Sequence, residues 1–218
     1  RDRIYGILRF ANFATGDMMS FGTMAAILFT WYFQSLGVSL GVLPTALIAI
    51  PFAIIFMIFY MLLIDKFVFK YYRNQKSPPV QLAMVSIGVM FVTQAVVRII
   101  IGPSDRRFFD GEKFIIKAGE FKEITGLNEG LAIKSTQILT ILVTLILVST
   151  LFWFLNKTKT GKSMKAYSDN EDLALLSGID PKKIVMITWI IAGILATIGG
   201  TLYGLDKSFK PFTYFNNM

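Results

Sequence analysis

The chain has 218 residues, 54% of them hydrophobic and only 17% charged, with a net charge of +8 and a mean hydropathy of +0.59. Ordinary soluble domains hold about 45–50% apolar and about 25% charged residues, so this composition excludes intrinsic disorder and points to a polytopic membrane protein. Histidine and cysteine are both absent, which removes disulfides, thiolate or imidazole metal sites, Cys nucleophiles, His triads and His proton relays.

The chain opens on Arg1 in place of Met and closes on the polar run before Met218, so it reads as an internal piece of a longer frame. Arg1-Asp2-Arg3 is charged, but no short apolar core with a small-residue cleavage site follows it, so no signal peptide is read there. Residues 4–17 are semi-apolar and too polar to span; Gly16 and Asp17 suit a bend and a helix start.

A crossing helix needs about 20 mostly apolar residues. Five stretches qualify: about 18–36, 42–64, 80–101, 135–155 and 184–205. The second contains Pro44 and Pro51, which a membrane helix tolerates. The fourth is the cleanest, with no charge from Ile138 to Phe154, and the fifth ends in small residues around Gly199-Gly200. The expected fold is therefore an all-α polytopic membrane protein, one transmembrane domain over residues 1–218.

Loop charge sets the orientation. Residues 65–79 carry Lys66, Lys70, Arg73 and Lys76 against Asp65 alone, and residues 156–183 carry six Lys against four acids. Residues 102–132 carry five basic and six acidic groups. The positive-inside rule puts the first two loops in the cytoplasm and the third outside. The +8 charge follows from these flanks, and no stripe of bases and aromatics calls for nucleic acid.

The outer loop, 102–132, fits either a short hairpin or a short helix; it reads as a solvated surface or as the face that meets an extracytoplasmic partner. The inner loop, 156–183, is long for a connector. From Lys162 to Ser177 it reads as one amphipathic helix, with Gly178 as C-cap and Pro181 as stop. Such a helix either lies on the membrane interface or docks in a partner's groove. Thr160-Gly161-Lys162-Ser163 looks like the end of a phosphate-binding loop, but Asn156 stands where the earlier glycine is required, so any ATP would have to be hydrolysed by another chain.

Within the spans, Thr93 and Gln94 are polar and Arg98 is expected to snorkel to the interface. No Asp, Glu or Lys falls at a span centre, which argues against a proton- or sodium-coupled carrier. No catalytic pair of acids or metal-ligand set sits within a span either, so no enzymatic or metal site is expected.

Three stretches carry a family resemblance. Tyr5-Gly6-Ile7 with Asn12-Phe13-Ala14-Thr15-Gly16-Asp17 is the first; Ser86-Ile87-Gly88-Val89 leading to Gln94 is the second. The third is Gly161-Lys162-Ser163-Met164-Lys165-Ala166, then Asp169-Asn170, Ala174 and Gly178-Ile179. Together they resemble the permease subunits of branched-chain amino-acid ABC transporters. Thr15 stands where that family has His, Asp17 where it has Glu and Lys165 where it has Arg, which loses the planar bidentate fork.

The resemblance implies a multi-pass permease of a bacterial inner (plasma) membrane that works by alternating access. Its implied partners are ATP-binding-cassette ATPase subunits, a second permease subunit and an extracytoplasmic substrate-binding protein. It implies no cofactor of its own, since ATP is used by the partner. It favours docking for the inner loop, with Gly161, Lys165, Ala166, Asp169, Leu173, Ala174, Leu176 and Gly178 as the coupling residues. Asn12, Thr15 and Gln94 are the residues assigned to the substrate path. Urea or short-amide permeases of the same class remain open as an alternative, as does a passive channel or membrane scaffold.

Overall fold

The computed structural model describes residues 14–38, 44–75, 77–102, 104, 106, 108, 115–116, 133–206 and 209. Its elements in chain order are α1 (Thr15–Ser35), α2 (Ala46–Asn74), α3 (Pro79–Ile101), the short strands β1 (Ile115–Ile116) and β2 (Ile133–Lys134), α4 (Ser135–Lys157), α5 (Lys159–Asp169), α6 (Glu171–Leu176) and α7 (Pro181–Asp206). The strands pair antiparallel, Ile115 opposite Lys134 and Ile116 opposite Ile133, joining the middle of the 102–132 loop to the start of α4. The fold is all-α and polytopic.

Four of these helices, α2, α3, α4 and α7, are long and apolar enough to cross a membrane. The expectation of five is thereby corrected. The first stretch, about 18–36, does form a 21-residue helix, α1, but its buried residues include Gly16, Asp17, Ser20, Gly22, Thr23 and Thr30. A helix whose neighbours are other helices rather than lipid need not be apolar all round. It can then carry small and polar residues that let backbones approach.

The core is a three-helix cluster in which α1, α2 and α7 each touch the other two. α3 packs on α1, and α4 packs on α7. Two glycines allow α1 and α7 to meet. A Cβ at Gly22 would lie 2.7 Å from Thr197 Oγ1, and one at Gly200 would lie 2.8 Å from the Met19 carbonyl and closer still to Thr23 Oγ1. Between α1 and α2 the Phe21 ring stacks on Tyr60, centroids 3.9 Å apart, and on Phe56 at 5.6 Å. Trp189 of α7, fully buried, meets Phe69 of α2 at 5.3 Å.

Five threonines in this dry setting are satisfied within their own helices. Thr23, Thr30, Thr93, Thr188 and Thr201 each donate to the carbonyl four residues earlier, at 2.7–2.8 Å. The second helix also runs past its expected end at residue 64: a π-helical turn, Asp65–Phe69, carries it on to Asn74. Arg73 grips Asp65 there through two parallel hydrogen bonds of 2.6 and 2.9 Å, closing the wide turn. The outward faces of α3 and α4 are apolar, with Ile99, Phe152 and Trp153 among the most exposed side chains, as lipid contact requires.

Gly200→Val should drive two methyl groups into the Met19 backbone and lower stability by about 1–3 kcal/mol, seen as earlier thermal unfolding in detergent. Gly199→Ala, whose Cβ meets only the mobile end of Met19 at 3.5 Å, should leave the transition in place.

Candidate functional site

Two places concentrate chemistry. The first is the segment between α4 and α7. Thr158 turns the chain: its backbone is extended, its Oγ1 donates to the Phe154 carbonyl at 2.7 Å, and it accepts from the Gly161 amide at 3.0 Å, capping α5. Gly161 is obligatory at this corner. A Cβ there would collide with the Phe154 carbonyl and sit 2.6 Å from Leu155 Cα. Met164 and Tyr167, three residues apart, form the inward face of α5. Lys165 is half-buried and its ammonium donates to Asn156 Oδ1 at the end of α4, while Ala166 and Asp169 face solvent.

The single helix expected from Lys162 to Ser177 is two helices. Asn170 is extended, with φ −152° and ψ 108°, and its Oδ1 accepts from the Leu173 amide at 3.1 Å. It thus ends α5 and caps α6, whose first turn holds Glu171 and Asp172, the favourable sign for a helix start. Tyr167 donates to Glu171 at 2.6 Å and ties the two helices across the bend. Asx side chains compete with the helix backbone for its own amides, which is why the break falls at this residue.

Ala174 is buried, while Leu173 is 62% and Leu176 85% exposed. Gly178 takes φ +78° and ends α6, with its amide on the Leu175 carbonyl and that of Ile179 on the Ala174 carbonyl. Pro181 then opens α7. The result is a two-helix corner, capped at each end, with Leu173 and Leu176 its most exposed leucines.

The second place is a buried polar cluster between α1, α2 and α3. Asp17, in the first turn of α1, is only 2% exposed. Gln94 Nε2 donates to its Oδ2 at 3.1 Å, and Arg98 Nη2 lies 3.4 Å from Gln94 Oε1. One residue before Gln94, Thr93 Oγ1 donates to the Val89 carbonyl and so accepts from the Tyr60 hydroxyl at 2.8 Å.

Two readings of these residues change here. Asp17 is a carboxylate inside the bundle and not merely the marker of a helix start. Arg98 reaches back along α3 to Gln94 and does not extend outward to the interface, because Asp17 supplies a buried negative charge on that side. Thr15 is exposed at the start of α1, and Asn12 lies outside the described residues. Of the three path residues, the structure brings Gln94 alone into this cluster. The spacing of Gln94 and Arg98, one helical turn apart, was the available signal that both share a face and need a partner.

Residues 3–218 match the family described as branched-chain amino acid transport system / permease component. The chain belongs to that family. The permease protein LivH of the high-affinity branched-chain amino acid transport system in Escherichia coli K12 is 25% identical over 207 residues, 92% of this chain and 63% of the relative. BraD of Pseudomonas aeruginosa is 24% identical over 207 residues, 93% of this chain and 64% of the relative. A probable LivH of Methanocaldococcus jannaschii is 35% identical over 71 residues, a third of this chain and 22% of the relative. The chain thus spans a little under two thirds of the length of its bacterial relatives. No solved structure matches it.

For this permease-family chain, Asn170→Ala should cost about 1 kcal/mol by removing the α6 cap, and hydrogen exchange at Leu173 should speed up accordingly. Gln94→Leu strips the buried Asp17 of a donor. It should cost about 1–3 kcal/mol or more, read as a lower unfolding temperature in detergent.

Proposed function

We propose that this chain forms part of the membrane-spanning permease subunit of an ATP-driven importer of branched-chain amino acids. Family membership supports the transport class. The observation that carries the coupling half of the reading is the α5–α6 corner. Leu173 and Leu176 are exposed on a short capped helix flanked by charged residues, and an exposed apolar group rimmed by polar ones marks a protein contact.

In this reading an ATPase subunit seats α6 in a groove, and Gly161, Thr158 and Asn170 keep the corner stiff enough to transmit its motion. Lys165, Ala166 and Asp169 line the approach, Ala174 packs α6 against its own support, and Gly178 ends it. Lys165 acts through Asn156, holding α5 against α4, so its ammonium stabilises the corner and does not serve as a free docking charge. ATP binding favours one arrangement of the bundle, and substrate is exposed to one side of the membrane at a time. A second permease chain completes the pathway, an extracytoplasmic binding protein delivers the solute, and the assembly resides in a bacterial inner membrane. The Asp17–Gln94 cluster is the polar element of the path, offering a carboxylate and an amide to a zwitterion that crosses an otherwise apolar bundle.

The test uses the full-length permease with its ATPase and binding protein in proteoliposomes. The double variant Leu173→Glu/Leu176→Glu should insert normally and lose leucine uptake about tenfold or more, the factor that about 1.4 kcal/mol of docking energy produces. Uptake that survives this change and proceeds without ATP would sink the importer reading in favour of a passive channel. Competition by excess urea but not by leucine would move the substrate to the amide class.

A further inference from the structure

The structure points to a binding site that the transport reading does not use. Between α4 and α7 runs a groove of about 550 Å³. Leu147, Leu151 and Phe154 form one wall and Ile187, Ile191 and Ile194 the other; Thr150 is the one polar residue in its lining. α4 meets α7 along this line.

Charge appears at one end only. The α4 stripe 147, 151, 154 continues one turn further to Lys157, and the α7 stripe 194, 191, 187 continues one turn back to Lys183. Both lysines are exposed, as is Lys182 beside them, and none of the three has an ion pair among the described residues. Asp180, the nearest acid in sequence, accepts from the backbone amide of Lys182 at 2.9 Å. At the opposite end, past Val143 and Ile198, the next turn of each helix carries no charged side chain.

Length discriminates between occupants. From Phe154 to Val143 is 11 residues, roughly 16 Å of helix. The hydrocarbon core of a bilayer is about 30 Å thick, so the groove serves one leaflet. One lipid tail fits within a leaflet, the length this groove offers. An apolar groove that ends in two cations matches a lipid with a negative headgroup.

We propose that the groove binds an anionic phospholipid, with an acyl chain along α4 and α7 and the phosphate held between Lys157 and Lys183. The site adjoins the start of α5, so an occupant would brace α4 against α7 at the root of the α5–α6 corner.

The experiment is native mass spectrometry of the full chain in detergent, titrated with phosphatidylglycerol and phosphatidylcholine of equal chain length. Wild type should retain phosphatidylglycerol in preference by about tenfold, as two interfacial lysines allow, and the preference should fall with added salt. Lys157→Gln/Lys183→Gln should abolish the preference, while Lys66→Gln/Lys70→Gln keeps it. Ile191→Trp fills the groove and should lower retention of both lipids; the lysine variants, being on the surface, test the site independently of folding. Equal retention of the two lipids by wild type would overturn the proposal. So would an unchanged preference in Lys157→Gln/Lys183→Gln, or an Ile191→Cys cross-link joining the groove to a second protein chain.

Discussion

Everything in this molecule hangs on how closely α1 and α7 approach. The contact is made where glycine faces threonine twice, Gly22 against Thr197 and Gly200 against Thr23 and the Met19 carbonyl. In lipid there is little hydrophobic gain from bringing two apolar helices together, so close backbone packing has to supply the attraction. Small residues on both sides make that packing possible. Once α1 and α7 are locked, α2 fills the space between them through Phe21, Tyr60, Phe69 and Trp189, and α3 closes over α1.

That arrangement also explains why charge survives inside the bundle. Asp17 sits where α1, already surrounded by helices, never meets lipid tails. Its nearest donor comes from Gln94 on α3, and Arg98 one turn on provides an opposite charge. A buried carboxylate alone would be very costly, but one with a hydrogen-bond donor and a nearby cation is tolerable. Loss of Gln94 would thus leave both the Asp17 carboxylate and the Arg98 guanidinium short of a hydrogen-bond partner.

The segment between α4 and α7 follows a different logic. Its conformation is governed locally, by side chains that cap amides: Thr158 for α5, Asn170 for α6 and Gly178 for the exit. Local caps fix the bends, and the buried Met164, Tyr167 and Ala174 seat the segment on the rest of the molecule. The leucines it exposes sit on a helix whose opposite face is anchored by the buried Ala174.

Hydropathy and charge made the membrane class and the crossing helices α2, α3, α4 and α7 legible in the sequence, because a run of 20 apolar residues has few other uses in a protein. The glycine at 178 marked the end of the inner-loop helix for an equally local reason, whereas the proline at 181, read as a stop, opens α7. The break at Asn170 was less visible, since an Asn inside an amphipathic pattern is compatible with both a helix and a cap until the Leu173 amide is seen to choose. Which helix is buried, and which faces meet, was decided only by the tertiary structure. Sequence patterns report what each helix presents, and burial depends on the neighbour it finds. Hence α1 turned out to be a central helix rather than a fifth lipid-facing span. Asp17 became an interior group, and the space between α4 and α7 took the form of a groove.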